Sequence, residues 1–487
     1  VTVPDTTPEE IERILAAAAQ AAGPFAALRP AERARLLRAA ADALDAAAGE
    51  LVPIAIEESS LPEGRLTGEV ARSSGQLRLF ADALDEGSYL EVTLDSADAN
   101  ASPVPRPDLR RMLLPLGPVA VFAASNFPFA FSVPGGDTAS ALAAGCPVVL
   151  KAHPGHPRLS VRTGEVLVEA LRAAGAPDGT FAVVHGMDAG ATVLTDPRIK
   201  AGAFTGSVKG GMALLEIATK RAEPIPFYGE LGSLNPVFVT PAAIAARGND
   251  LADGYVGSFT LGTGQFCTKP GLLFLPAGHG LEERLTEAVR NAAPAGMLND
   301  RIREGHAHER DRLEGLGPVR TLVHGADTDA GVAPTLLATT AKELLADPDS
   351  LLQECFGPTS IVVEYSDPDE MLAAAEAFGG NLTATVQAED SDAATLAPLL
   401  DALRDRAGRL VYNGWPTGVA VSWAMHHGGP FPSTTASIHT SVGVTALRRF
   451  LRPVCYQNTP QALLPEALQD SNPLGLPRRL DGVLTGA

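Results

Sequence analysis

Hydrophobic and polar residues follow two different rhythms along this chain. Over residues 8–86 the apolar positions recur every three to four residues, as in PAERARLLRAAADALDAAAGELVPIAIEES, and predict a run of amphipathic helices. Between 88 and 110 the rhythm gives way to YLEVTL, a polar patch and then VPRPDLRRMLL, which predicts an extended hairpin. From 118 to 229, short Val/Ala/Phe-rich runs at 119–124, 147–151, 180–185 and 201–204 alternate with helical stretches near 136–144, 158–174, 188–195 and 207–220. Gly175 stands where the second of those helices should close. Uninterrupted apolar runs of strand length, separated by helices, predict a parallel sheet covered on both faces, with ligands at the C-terminal strand ends.

A second alternation runs from about 230 to 436, with strands predicted in NPVFV, LLFL, SIVVEY and TATVQA and helices in LEERLTEAVRNAA and MLAAAEAFG. The last fifty residues open on another extended run, RRFLRPVCYQN, and end in a Pro-rich tail that reads as having little core of its own. The expected class is α/β. The expected parts are 1–87 with 115–229, then 230–436, and an arm and tail at 88–114 with 437–487.

Size and charge narrow this picture. A chain of 487 residues exceeds one simple core, so two or three domains are expected. The formal net charge of −19 argues against nucleic acid, which needs a cationic face. Four cysteines (Cys146, Cys267, Cys355, Cys455) in so long a chain suit reduced thiols better than a disulfide framework. The opening VTVPDTTPEEIERIL does not have the pattern of a secretory leader, and the apolar runs are far short of a membrane span. A cytoplasmic protein is expected, without membrane or metal.

The candidate chemistry lies in five segments taken in order: Ser125-Asn126-Phe127-Pro128, Phe204-Thr205-Gly206-Ser207, Glu230-Leu231-Gly232-Ser233, Gly264-Gln265-Phe266-Cys267 and Glu354-Cys355-Phe356-Gly357-Pro358. Each is weak alone. In this order and spacing the chain resembles the aldehyde dehydrogenase superfamily over nearly its whole length. That resemblance implies a Rossmann-type cofactor domain, an α/β catalytic domain and a β-strand oligomerisation arm.

It also implies roles. Cys267, in a glycine-flanked turn, would attack an aldehyde as the thiolate and carry the acyl group as a thioester. Asn126 and the Cys267 backbone N–H would form the oxyanion hole. Glu230, flanked by apolar runs, would activate the hydrolytic water, with a pKa raised towards neutrality by burial. Its presence favours hydrolysis to a free acid over transfer to coenzyme A. Cys146, Cys355 and Cys455 are read as core or incidental.

For the nicotinamide cofactor, the 204–207 segment ends a strand and opens a helix, where backbone amides and the Ser207 hydroxyl would hold a pyrophosphate. A G-x-G-x-x-G fingerprint is absent. The resemblance places Lys151 on the adenosine ribose, Gly186 against the adenine, Glu354 on the nicotinamide ribose and Phe356 beside it. It adds His153, Phe204, Gly206 and Leu231 to the same set. Where many NAD-preferring members carry a Glu three residues after this lysine, the chain has Pro154. NADP is therefore favoured, with NAD possible, and His156 or Arg158 would approach the 2′-phosphate.

Finer likeness in NFPFAFSVPGGDTASALAAGCPVVLKAHPGHP, GELGSLNPVFV, GQFCTKPG, YNGWPTGV and MHHGGPFPST points to 2-oxoglutarate semialdehyde (2,5-dioxovalerate) dehydrogenases. A sister branch acting on long-chain fatty aldehydes is the alternative. A relative that binds ligand without turnover is the alternative of a different class. A carboxylate tail needs cationic or N–H donors. Arg65, Arg72, Arg78 and the 414–418 turn are the candidates, and Phe127, Phe131, Phe266, Trp415 and Phe431 the candidate tunnel lining. The arm implies a homodimer or homotetramer, because an exposed hairpin with an apolar face needs a strand partner.

Overall fold

The structure is a computed structural model that describes residues 3–329 and 331–486, with backbone alone at 394 and 395. Four helices open it: α1 (Pro8–Ala26), α2 (Pro30–Ala46), α3 (Ala48–Ser59) and α4 (Glu63–Glu86). α1 starts at a capping box, with Thr7 Oγ1 accepting from Glu10 N–H at 3.3 Å and Glu10 Oε2 from Thr7 N–H at 3.0 Å. β1 (Thr93–Asp95) and β2 (Leu109–Pro115) then pair antiparallel, as the 88–110 pattern predicts.

The first α/β unit runs β3 (Val119–Phe122), α5 (Gly136–Ala144), β4 (Val148–Lys151), α6 (Pro157–Ala173), β5 (Phe181–Val184), α7 (Met187–Thr195), β6 (Ala201–Thr205), α8 (Val208–Lys220) and β7 (Phe227–Glu230). Its five strands are parallel, in the order β5-β4-β3-β6-β7. Side chains on a strand point alternately to opposite faces. Accordingly Val119 and Val121 enter one apolar cluster while Ala120 and Phe122 enter another on the opposite face. The strand order reverses between β3 and β6, and such a sheet opens its ligand crevice beyond the strand ends at that point. β7 ends at Glu230, so the boundary expected between 229 and 230 falls inside this strand.

The second unit contains β8 (Val237–Val239), α9 (Pro241–Thr260), β9 (Leu272–Pro276), α10 (Glu282–Asn291), α11 (Asp300–Glu314), β10 (Arg320–His324), β11 (Thr335–Thr340), β12 (Thr359–Tyr365), β13 (Asn381–Gln387) and β14 (Ala407–Tyr412). Its sheet runs β10-β11-β12-β9-β8-β13-β14, parallel except for β10. Here too the alternation divides the strands between two cores, Phe238 and Phe274 on one face and Val237 and Leu273 on the other.

β15 (Leu451–Gln457), β16 (Arg478–Leu480) and β17 (Val483–Thr485) complete a third sheet, β15-β2-β1-β16-β17. β2 and β15 pair antiparallel, in register from Leu109–Gln457 to Pro115–Leu451. The tail has little core of its own: Leu464, Ala467, Leu468 and Leu476 are buried in the first unit's core. No helix among the described residues is long and apolar enough to cross a membrane.

Candidate active site

Cys267 sits on a turn that the chain enters through three consecutive left-handed residues, Gly262 (φ 57), Thr263 (φ 58) and Gly264 (φ 65). Only Gly264 fits its place, since a Cβ there would lie 2.2 Å from the Gly357 carbonyl oxygen. The turn is held from below by Asn235, whose Nδ2 donates to Cys267 O (2.9 Å) and Lys269 O (3.0 Å). Lys269, buried, donates to Cys355 O and Thr359 O at 2.8 Å each and ties the turn to the 354–358 loop. A backbone fixed by so many bonds presents the sulfur in one position.

The three expected catalytic residues converge. Asn126, on the loop after β3, donates from Nδ2 to Gln265 O at 3.1 Å, beside the Cys267 turn. Glu230 arrives from the end of β7. A fourth residue joins them that the sequence does not single out: His427, whose Nε2 lies 3.4 Å from Cys267 Sγ and 2.9 Å from Glu230 Oε1. The same ring nitrogen thus stands between the sulfur and the carboxylate. Ligand atoms of Glu230, Cys267 and His427 all lie within 4.8 Å of one another. His427 is fixed through its backbone N–H to Thr440 Oγ1 (2.8 Å), and the Ser441 hydroxyl donates to Glu230 Oε2.

The electrostatics correct one expectation. Burial pushes the Glu230 carboxyl up, but His427 beside it and the bonds from Ser441 and Cys267 outweigh that, holding it below the usual carboxylate range. Glu230 is therefore ionised in this arrangement, not poised near neutrality. Burial and the Glu230 charge push the Cys267 thiol well above its ordinary value, with Arg72 pulling the other way.

The cofactor residues gather at the strand ends that the topology designates. Lys151 closes β4 and is buried, not solvated. His153 follows it, and its Nδ1 accepts from Gly155 N–H at 3.0 Å, leaving the proton on Nε2. Burial holds His153 well below the usual imidazole range, and Arg301 of α11 lies within electrostatic reach of both His153 and Lys151. Gly186 (φ 102) faces Asp5, whose Cγ would be 2.7 Å from a Cβ placed there.

Gly206 N–H is already spent on Glu230 O (3.0 Å) and cannot serve a pyrophosphate. The Ser207 hydroxyl caps α8 by accepting from Gly210 N–H at 3.2 Å, which leaves its own hydrogen to donate. A Cβ at Gly206 would meet the Phe204 ring at 2.5 Å, and one at Gly211 the buried Leu231 at 2.2 Å, so Phe204 and Leu231 pack beneath this turn. Glu354 and Phe356 precede β12. The Glu354 carboxyl is raised by burial to about 7, and a Cβ on Gly232 would lie 2.3 Å from its Oε2.

Other candidates separate. His156 is buried, with its ring nitrogens on Ala124 O and Ser160 Oγ, and Arg158 pairs with Glu57 and Glu58. Neither is available to a 2′-phosphate as expected. Phe127 stacks edge-on to Phe131 and Phe266 at 5.3 and 5.1 Å. Arg65 lies over two of these rings, pairs with Glu69 and donates to Asn126 O. Trp415 stands against Tyr255, Phe431 is 59% exposed, and Arg78 pairs with Asp42 and Asp45 at the surface.

The model of the aldehyde dehydrogenase family matches residues 1–451. The chain is 46% identical over 480 residues to alpha-ketoglutaric semialdehyde dehydrogenase 2 of Azospirillum brasilense, covering 97% of this chain and 91% of that one. It is 43% identical over 484 residues to alpha-ketoglutaric semialdehyde dehydrogenase of Acinetobacter baylyi, covering 98% and 92%. Among solved structures, an NAD-dependent aldehyde dehydrogenase from Sinorhizobium meliloti superposes with a TM-score of 0.77 at 26% identity, covering 95% of this chain and 90% of that one.

Proposed function

The chain belongs to the aldehyde dehydrogenase family, and we propose that it oxidises 2-oxoglutarate semialdehyde to 2-oxoglutarate through a thioester on Cys267. The observation that carries the chemistry is the convergence of Cys267, His427, Glu230 and Asn126 on one buried turn. The naming of the two relatives above supports the substrate. The Cys267 thiol gives its proton to His427, whose Nε2 lies 3.4 Å from the sulfur, and the thiolate attacks the aldehyde carbon to form a thiohemiacetal. The Asn126 amide and the Cys267 N–H stabilise the oxygen that becomes negative. A bound oxidised dinucleotide supplies the hydride acceptor. Glu230 then removes a proton from water as it attacks the thioester, releasing the acid and the thiol.

The strand-end residues fit a dinucleotide: a left-handed glycine at 186, a helix opening at Ser207, and a carboxyl at Glu354. The family sets the class as NAD(P). We place NADP first, because Lys151, His153 and Arg301 gather where Pro154 leaves no carboxylate; Asp5 is the opposing charge. Four free thiols suit a reducing cytoplasm. β15 is an edge strand of its sheet, and we assign it the contact that makes a homodimer or homotetramer. Light scattering should give at least twice the 50.4 kDa chain mass, and a monodisperse monomer at micromolar concentration contradicts that.

The test of function is reduction of NADP and NAD with a panel of aldehydes. Preferential turnover of 2-oxoglutarate semialdehyde is expected. Preference for long-chain aldehydes would move the chain to the sister branch, and no turnover at all would leave a ligand-binding relative.

A further inference from the structure

The atoms that carry the oxidation are also metal-ligand atoms. Sγ of Cys267, a ring nitrogen of His427 and a carboxylate oxygen of Glu230 all lie within 4.8 Å of one another, and among the described residues no other three His, Cys, Asp or Glu side chains gather so closely. No metal is expected from the sequence, in which these three residues lie far apart. His427 Nε2 stands 3.4 Å from Sγ and 2.9 Å from Glu230 Oε1. A tetrahedral zinc at ordinary bond lengths would hold sulfur and nitrogen about 3.6 Å apart, and nitrogen and oxygen about 3.4 Å apart. Seating the ion therefore asks for a movement of about half an ångström.

Each ligand comes from a different part of the chain, and each is fixed. Glu230 ends β7 with Oε2 accepting from the Ser441 hydroxyl, so Oε1 is the oxygen turned to the cluster. The His427 backbone N–H is bound to Thr440 Oγ1, and the Cys267 turn is held by Asn235. Ligands already ordered in this way lose little freedom when an ion binds. Glu230 and His427 are buried whereas Cys267 is partly exposed, so an ion arriving from solvent meets the sulfur first. A thiolate and a carboxylate carry two negative charges, which a divalent cation cancels, and the imidazole adds a neutral donor. Sulfur with imidazole nitrogen selects zinc, cadmium or cobalt, while magnesium and calcium prefer oxygen ligands throughout. Arg72 is the nearby cation that opposes an incoming ion.

We propose that Cys267, His427 and Glu230 bind a thiophilic divalent cation of the zinc class, and that the bound ion switches aldehyde oxidation off. A metal–sulfur bond forms, the S–H bond of the thiol breaks, and its proton leaves to solvent. The ion then occupies at once the nucleophile, the group that takes its proton and the base for hydrolysis. It is an inhibitor and takes no step in the oxidation. The loss of activity rests on the proposed function of this site; the binding of the ion rests on the geometry alone.

The test takes the full-length wild-type enzyme, strips it with EDTA and supplies buffered free zinc. Oxidation of 2-oxoglutarate semialdehyde should stop at submicromolar free zinc with one ion per chain, return in full with EDTA, and be untouched by millimolar magnesium. Zinc affinity, read by competition with a chromophoric chelator, should fall about 100-fold in His427→Ala and in Glu230→Gln, at least the loss that removing a supporting residue brings. Cobalt should give an intense thiolate-to-metal charge-transfer band in the wild type and none in Cys267→Ala. Zinc should also protect Cys267 from iodoacetamide. The last three readouts do not depend on turnover.

Zinc affinity within about threefold of wild type in Cys267→Ala or His427→Ala would place the ion elsewhere and overturn the site, as would a cobalt complex without the sulfur band. Zinc bound at Cys267 with turnover undiminished would overturn the switch. An enzyme that oxidises no aldehyde, yet shows the sulfur band and zinc protection of Cys267, would fault the proposed function and uphold the metal site.

Discussion

Around Cys267 the polar groups meet one another inside the chain: Glu230 faces His427 and Ser441, and the turn's carbonyls are taken by Asn235. Around the 416–419 loop the opposite holds, with Arg72 and Arg409 bonded only to neutral carbonyls. The reacting groups are brought together by the fold itself, whereas on this flank the guanidiniums rest on backbone oxygens. Chemistry common to many aldehydes can be preassembled in this way, because it needs the same atoms each time. Selection among aldehydes needs a difference in binding. Substitutions in the first region should therefore hurt every substrate alike.

The largest effect is expected from Cys267→Ala. Loss of the nucleophile should lower aldehyde oxidation at least about 10⁴-fold for charged and uncharged aldehydes alike, with dinucleotide binding retained by fluorescence titration. Turnover near normal would dissolve the distinction between the two regions. Next comes Glu230→Gln, whose steady-state rate should drop roughly 10²–10³-fold while a first burst of reduced cofactor survives. Loss of the burst would mean that Glu230 acts before hydride transfer.

A smaller change belongs to the cofactor end. Pro154→Glu and Arg301→Ala should each shift the NADP-to-NAD ratio of kcat/KM about tenfold towards NAD, by adding an acid or removing a cation near Lys151 and His153. An unmoved ratio would assign the choice to other residues.

The smallest is a change in pH profile. Because the Cys267 thiol is raised, its thiolate forms only as pH climbs, so kcat/KM should increase with pH above neutrality. Burial is the main cause and the Glu230 charge the next, so Glu230→Gln should move the midpoint of iodoacetamide alkylation to lower pH. A midpoint that stays put would mean that Glu230 does not face the sulfur.

The sequence makes one of these regions far easier to read than the other. β3, β4 and β6 are short apolar runs between 3.6-periodic helices, so the first unit and its strand-end residues follow from pattern alone. Cys267, Glu230 and Asn126 lie in motifs whose spacing carries the resemblance. His427 does not, because MHHGGPFPST has no period, and only the fold separates buried His427 from its neighbour His426. Asn235 and Arg409 are equally silent: one is a turn residue with φ 50, the other a charge on an outer strand. The Pro-rich tail hides its core leucines, and Asp5 reaches Gly186 only through the path of the chain. Long-range juxtaposition is what one-dimensional pattern lacks.

The most direct test of the thioester on Cys267 is intact-protein and peptide mass spectrometry of Glu230→Gln mixed with NADP and 2-oxoglutarate semialdehyde. The account predicts one equivalent of NADPH per site and one acyl adduct located on Cys267. Hydride transfer without that adduct, or an adduct on any other residue, would contradict it.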